Sequence, residues 1–192
     1  METLEIVGTT VKGYGNRLLL KQAVEYSIVN TKSGPLLCMF SSVGLLYTGF
    51  SGYKNDICIE DCKHLHLVRN DARGIKLFQS YCSGKPLNET LHLIGTAFSI
   101  EVWRHLLRIP CGHLVSYKEL AQKTGNPKAV RATAHAVARN PVSIIIPCHR
   151  VIYSNGEKGK YHWGSQLKKE MIENELCGKC AILLLSEGNN PL

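Results

Sequence analysis

Cys148 stands at the end of an apolar run, Pro141-Val142-Ser143-Ile144-Ile145-Ile146-Pro147, and is followed at once by His149 and Arg150. Burial alone raises a thiol's pKa and leaves it inert, whereas a neighbouring imidazole or guanidinium favours the thiolate that acts as nucleophile. A thiol delivered between a proline and a His-Arg pair therefore reads as a candidate nucleophile in a partly buried, electropositive place. His149, adjacent in sequence, need not touch the sulfur and can take its proton through a water. The same dipeptide also suits a core cysteine with no chemistry, so its weight depends on what surrounds it.

Other residues have the density of a metal site. Cys58-x3-Cys62-x-His64-x-His66 is one group and Cys177-x2-Cys180 another, and the sequence leaves one zinc held by both open beside reduced thiols. We assign no metal and no cofactor. The zinc deaminase signature, H-x-E followed by P-C-x-x-C, is not met at Pro147-Cys148, which has no second cysteine three residues on. The chain has 8 cysteines in 192 residues and opens METLEIVGTTVKGYGNR, with acids where a signal peptide carries bases. Free thiols in an intracellular protein are expected.

The composition suits a chain that buries a core: 44% hydrophobic and 20% charged residues, with no run approaching the roughly 18 apolar residues of a spanning helix. The short apolar runs VEYSIVN, GPLLCMF and VGLLYTGF between residues 24 and 50 predict strands with a hairpin. Residues 54–83 are more polar and predict one or two helices, ahead of the run LHLI at 91–94. Gly95-Thr96-Ala97 opens a periodic segment with Phe98, Val102, Leu106 and Ile109 on one face, a helix that Pro110 stops. The fold class is α+β: a small N-terminal α/β domain over 1–90, a mainly helical domain over 91–176, and a tail over 177–192.

Within the second domain, Ser116-Tyr117-Lys118-Glu119 is a capping-box pattern that opens the helix YKELAQKT, ending at Gly125. Asn126 then caps a second helix with Pro127 at its first position, and KAVRATAHAVAR continues to Asn140-Pro141. Two short helices joined by a glycine turn predict a helix-turn-helix. Its second helix has alanine at 129, 132, 134, 136 and 138, a flat surface apart from Arg131, His135 and Arg139, fit either for tight internal packing or for close approach to nucleic acid. Charge favours the second reading. The net charge is +8, and residues 98–175 carry 12 bases against 6 acids, a field suited to a phosphate backbone.

The ordered set GTAF at 95–98, VW at 102–103, IPCG at 109–112, VSYKELA at 115–121, GNPKAVRA at 125–132, NP at 140–141 and IPCHRV at 146–151 resembles the O6-alkylguanine-DNA alkyltransferases, especially their bacterial branch. Gly159, Tyr161, Gly164, Lys168 and Glu175 continue the match. The resemblance covers about 80 residues with dense motifs, and the preceding 90 only in coarse layout. It implies a DNA repair protein that transfers alkyl groups, above all methyl, from O6 of guanine and also O4 of thymine to its own cysteine in one irreversible turnover. Cys148 matches the acceptor, His149 the residue that takes the thiol proton, and Glu175 the carboxylate that orients it, a Cys-His-acid arrangement without acyl chemistry.

By the same resemblance Tyr117 supplies the phenol that stabilises the leaving guanine, and Asn140 braces the turn before the cysteine. Base flipping is required to reach the alkyl carbon. Arg131 matches the arginine that enters the stack, with Lys128, Ala129, Ala132, Thr133 and Tyr117 on the DNA side and the alanine-rich helix in the minor groove. Val151, Ser154, Tyr161, Trp163 and Lys168 are expected to line or close the base pocket, Lys168 lying near the site. Cys111, in IPCG, falls at a packing position and is expected to be inert. Some relatives hold a zinc in the N-terminal domain, but the cysteine spacings here do not carry over. The expected partner is double-stranded DNA containing O6-alkylguanine, with no membrane contact, for a monomer in the cytoplasm, or in the nucleus of a eukaryote.

Three rivals make different demands. A non-catalytic binder of alkylated DNA has another residue in place of the cysteine, a helix-turn-helix regulator usually needs a further domain, and a cysteine hydrolase leaves Arg131 and the basic helix without a purpose.

Overall fold

The computed structural model describes residues 5–10, 23–51 and 65–178. Five strands and one helix come first: β1 (Ile6–Thr10), β2 (Val24–Thr31), β3 (Gly34–Phe40), β4 (Leu45–Phe50), β5 (Leu67–Arg69) and α1 (Asp71–Cys82). β6 (Leu91–Gly95) follows, then α2 (Ala97–Leu107), β7 (Val115–Ser116), α3 (Tyr117–Lys123), α4 (Val130–Ala138), β8 (Val151–Ile152) and α5 (Ser165–Leu176). Six strands form one sheet in the order β1-β6-β4-β3-β2-β5. β2, β3 and β4 are antiparallel neighbours, while β1 and β6, β4 and β6, and β2 and β5 pair parallel.

The sheet is covered on both faces, which is why β3 and β4 are nearly continuous apolar runs. Alternation still sorts their side chains. Leu37 and Met39 join Val24, Leu46, Tyr47 and Leu65 on one side. Leu36, Cys38 and Phe40 face the other way, into the main core with Phe78 of α1, Trp103 of α2, Ile144 and Cys148. Asn70 caps α1, and Gly74 lets that helix lie against Ser27 and Val29 of β2, where a Cβ would stand 2.5 Å from the serine.

β6 corrects the expected boundary. Leu91–Gly95 is a strand of the first sheet, with Ile6 opposite Leu91 and Thr10 opposite Gly95, so the N-terminal unit extends past residue 90 and α2 begins the second. The sequence reading also had no place for β1 or β5. Of the predicted helices in 54–83, α1 is present, while residues 52–64 lie outside the described set. The tail from 179 onward lies outside it too.

Thr96 caps α2 through Ser99 N–H, and Ile100, Val102, Trp103 and Leu106 form its buried face. The indole of Trp103 donates to the Ala136 carbonyl at 2.9 Å, fastening α2 to α4. The Ser116–Glu119 capping box is present in full, and Gly125 turns with a φ of 76° after α3. α4 starts later than the sequence pattern predicts. Asn126-Pro127-Lys128 is a turn closed by Ala129 N–H to the Asn126 carbonyl at 3.0 Å, and the helix begins at Val130 with no side-chain cap. Pro127 has no N–H to offer that turn and loses nothing there.

Candidate active site

Cys148, His149 and Arg150 form a single 3-10 turn after Pro147, and all three are buried. The turn is placed by its two flanks. After it, β8 pairs parallel with β7, Val115 opposite Val151 and Ser116 opposite Ile152, which sets Tyr117 at the start of α3 beside the cysteine turn. Before it, the apolar run of residues 140–147 forms no regular strand but an isolated bridge of Val142 to Thr48 and a knot of local bonds. Asn140 Nδ2 donates to the Ile146 carbonyl at 2.7 Å, its Oδ1 accepts from Val142 N–H at 3.1 Å, and Cys148 N–H donates to Ile146 at 2.8 Å. Prolines at both ends keep the segment out of regular pairing. Ile144 within it has φ 77°, the one positive φ at a non-glycine position among the described residues. For a β-branched side chain that costs roughly 1–3 kcal/mol and persists only where the surroundings hold it.

Behind the cysteine lies a buried charge network. His149 Nε2 lies 2.8 Å from Glu175 Oε1 on α5. Arg150 grips the same carboxylate with two bonds of 2.8 Å, Nε to Oε2 and Nη2 to Oε1. Gly112 N–H adds a fourth donor at 3.2 Å to Oε2, and the remaining Arg150 nitrogen donates to the Ile109 carbonyl. Burial works against the charge of Glu175, but His149 and Arg150 outweigh it and bring its pKa to about 2. Burial lowers the pKa of His149 in spite of the carboxylate, so the imidazole is neutral. With Nε2 donating to Glu175, Nδ1 carries the lone pair, and it is buried without a protein partner.

Burial raises the Cys148 pKa, opposed by Asn140, Lys168, Ser143 and Tyr161, whose polar groups favour the thiolate. The cation beside the sulfur is Lys168, not Arg150 as the sequence implied, because the guanidinium is occupied with Glu175. Lys168 is 1% exposed and its Nζ donates to the Val151 carbonyl at 2.7 Å. Burial brings its pKa down to about 8, Cys148 resisting. The Tyr161 hydroxyl is buried next to Cys148 without a nitrogen or oxygen partner. Trp163 is 5% exposed and packs edge-on against Tyr161 at 5.3 Å and Phe50 of β4 at 5.8 Å, so an indole stands behind the tyrosine. Tyr117 is half-buried against Tyr153, ring centres 5.4 Å apart, and burial raises its pKa.

α4 presents Arg131, Ala132, His135, Ala138 and Arg139 outward and buries Thr133, Ala136 and Val137. Lys128 is exposed and Ala129 half-exposed at its start. Thr133 is the correction here: fully buried, it belongs to the packing face and not to the DNA side. Ser154 is exposed, in a turn closed by Gly156 N–H to the Tyr153 carbonyl at 3.0 Å. Val151 is fully buried, and its carbonyl accepts from Lys168 Nζ.

The thiol expectations divide. Cys38, Cys148 and Cys177 are free, but Cys111 is disulfide-bonded and so not the plain packing cysteine expected. It is half-buried beside Gly112 rather than sealed in the core, which leaves its sulfur open to pairing. Cys58, Cys62, His64 and Cys180 lie outside the described residues, among which no group of three metal-ligating side chains occurs. No helix of the described residues is long and apolar enough to cross a membrane. Ser143, Thr48 and Tyr81 were not singled out by sequence reasoning, and Arg150 was read as a neighbour of the thiol, not as the partner of Glu175.

A buried cysteine with a His-Glu pair behind it, next to a helix-turn-helix with a basic outer face, defines a DNA-directed protein with a nucleophilic thiol. Residues 97–177 match the family model described as 6-O-methylguanine DNA methyltransferase, DNA binding domain. The chain is 36% identical over 159 residues to the methylated-DNA-protein-cysteine methyltransferase of Methanosarcina acetivorans, covering 81% of this chain and 99% of that protein. It is 34% identical over 183 residues to the bifunctional transcriptional activator/DNA repair enzyme Ada of Escherichia coli, covering 89% of this chain and spanning half of Ada's length. Mycobacterium tuberculosis OGT, solved in complex with DNA, superposes with a TM-score of 0.70 at 29% identity, over 82% of this chain and 96% of that one. The chain belongs to the O6-methylguanine DNA methyltransferase family.

Proposed function

We propose that this chain is a DNA repair protein that takes alkyl groups, chiefly methyl, from O6 of guanine, and from O4 of thymine, onto Cys148 in one irreversible turnover. The observation that carries the reading is the set of groups at the sulfur: Lys168, Asn140, Ser143 and Tyr161 favour its thiolate, and a neutral His149 is held by Glu175 behind it. The thiol proton passes through a water to Nδ1 of His149, and Glu175 stabilises the imidazolium that results. The sulfur then attacks the alkyl carbon in line with the bond to O6. The S–C bond forms as the C–O bond breaks, and the electron pair stays on guanine, where the Tyr117 phenol donates to the ring nitrogen that gains charge. Net, the thiol hydrogen and the alkyl group exchange places. A thioether has no proton to lose and is a poor leaving group, so the protein is spent.

The alkyl carbon is out of reach in a stacked duplex, so the nucleotide is flipped into the site, at a cost of a few kcal/mol. α4 enters the minor groove on its small outer residues, Ala129 and Ala132 permitting close approach, while Arg131 fills the gap in the stack and Lys128 meets phosphate. Little base readout suits a protein that acts in any sequence context. It acts as a monomer where the DNA is, in the cytoplasm or in a nucleus. The test is a repair assay with protein limiting: methyl loss from an O6-methylguanine duplex stops at one equivalent per chain, and Cys148→Ala repairs none while still binding. Repair beyond one equivalent indicates a hydrolase, and binding without repair by the wild type indicates a non-catalytic binder; either outcome overturns the proposal.

A further inference from the structure

The strained segment that delivers Cys148 is gripped from outside by two hydroxyl groups of the N-terminal unit. Thr48, fully buried in β4, pairs with Cys38 of β3 across one edge and turns its backbone to the other. There its N–H donates to the Pro141 carbonyl at 3.0 Å, and its carbonyl accepts from Ser143 N–H at 3.2 Å. Its Oγ1 donates to the Ser143 carbonyl, 95 residues away in the chain. The next carbonyl along, that of Ile144, accepts from the Tyr81 phenol at the end of α1, at 3.3 Å. The two peptide groups flanking the one left-handed isoleucine are thus each held by a side chain from the other half of the molecule. Ser143, whose hydroxyl favours the thiolate at Cys148, lies inside this grip.

Rotation about the Ile144 backbone relieves its strain and swings Ser143 relative to the sulfur. The local bonds of the knot come from Asn140 and from Ile146 N–H, which donates to the Val142 carbonyl at 2.9 Å and closes the turn around Ile144, but none of them takes the carbonyls of residues 143 and 144. We propose that Thr48 and Tyr81 are positioning residues for alkyl transfer: their hydroxyls clamp the carbonyls of Ser143 and Ile144 and hold the left-handed turn that aligns Ser143 with Cys148. This rests on Cys148 as the acceptor. It also gives the N-terminal sheet a direct part in the chemistry, although it supplies none of the groups at the sulfur.

The experiment compares single-turnover methyl transfer at saturating O6-methylguanine duplex with DNA affinity, in wild type, Thr48→Val, Tyr81→Phe and the pair together. Each hydroxyl removed slows the transfer step by about five- to tenfold, the worth of one buried hydrogen bond, and the double variant more. DNA affinity stays within about twofold, since α4 is untouched. Thr48→Ser, which keeps the hydroxyl, transfers at close to the wild-type rate. A double variant that transfers at the wild-type rate overturns the clamp, as does one whose rate and affinity fall together, or a Thr48→Ser variant as slow as Thr48→Val. Failure of the wild type itself to accept methyl would instead refute the assignment of Cys148, so the two ideas fail separately.

Discussion

Replacing Glu175 by Gln removes one negative charge from a site that is 4% exposed and leaves Arg150 buried without its counter-charge. Two routes give its magnitude. The carboxyl pKa lies at about 2 against 4.5 in an unperturbed side chain, and that gap corresponds to about 3 kcal/mol of stability at neutral pH. Independently, breaking one partner out of a buried ion pair costs about 3–5 kcal/mol. For a chain of this size about 3 kcal/mol is a fall in Tm of roughly 6–12 °C. The sign of the pH dependence follows from the lowered pKa: the contribution is complete above 4.5 and is lost as pH falls toward 2. The difference in Tm between wild type and Glu175→Gln is therefore widest at neutral pH and narrows when both are melted in buffers below pH 4.5. Transfer slows as well, because a glutamine stabilises the imidazolium less, though less completely than in Cys148→Ala. A neutral-pH difference in Tm below about 2 °C, or one that does not narrow with acid, refutes the assignment of Glu175 as the buried anion of the network.

The remaining predictions concern DNA and pocket. Arg131→Ala slows repair of O6-methylguanine in duplex more than repair of the free base, because only the duplex needs an inserted wedge; equal slowing on both removes that role. Trp163 packs edge-on against Tyr161, and we expect a wall as bulky as an indole to leave little room for a benzyl ring, so free O6-benzylguanine inactivates the wild type slowly and Trp163→Gly faster, measured where circular dichroism shows the variant folded. A wild type as sensitive as the variant contradicts this. Lys168→Met removes the cation beside the sulfur and slows transfer about tenfold at neutral pH. Its stability at pH 7 stays within about 1 kcal/mol of the wild type, since the lysine's folded pKa of about 8 means that keeping it charged there already weakens the fold. A large loss of stability with unchanged rate reverses that reading.

What could be read from the sequence was local. The capping box at Ser116–Glu119, the helix opening at Gly95-Thr96-Ala97 and the glycine turn at 125 each depend on residues within one turn of one another, and all are present. That Glu175 meets His149 next to Cys148 was legible because motif order carries over between relatives. The start of α4 was misplaced because Asn126-Pro127 serves a turn as well as a helix N-terminus. Thr133 was set on the wrong face because it was carried over from relatives along with its neighbours, without weighing the buried face it shares with Ala136 and Val137. β1 and β5 are short and gain their order from parallel partners distant in the chain, so pattern alone does not reveal them. Arg150 was read as a neighbour of the thiol, whereas its direction is set by a carboxylate 25 residues on. The contacts of Thr48 and Tyr81 span 95 and 63 residues, and no local rule signals them.

The central claim is that Cys148 itself keeps the alkyl group, and intact-protein mass spectrometry with peptide mapping tests it most directly. The wild type and Cys148→Ala are each incubated with excess duplex bearing one O6-methylguanine. The account predicts that every wild-type chain gains a single methyl, on the peptide holding Cys148, with no further gain over time, while Cys148→Ala binds the duplex and gains nothing. Methyl on another residue, a wild type that stays unmodified while the DNA loses its methyl, or duplex left unrepaired would each contradict it.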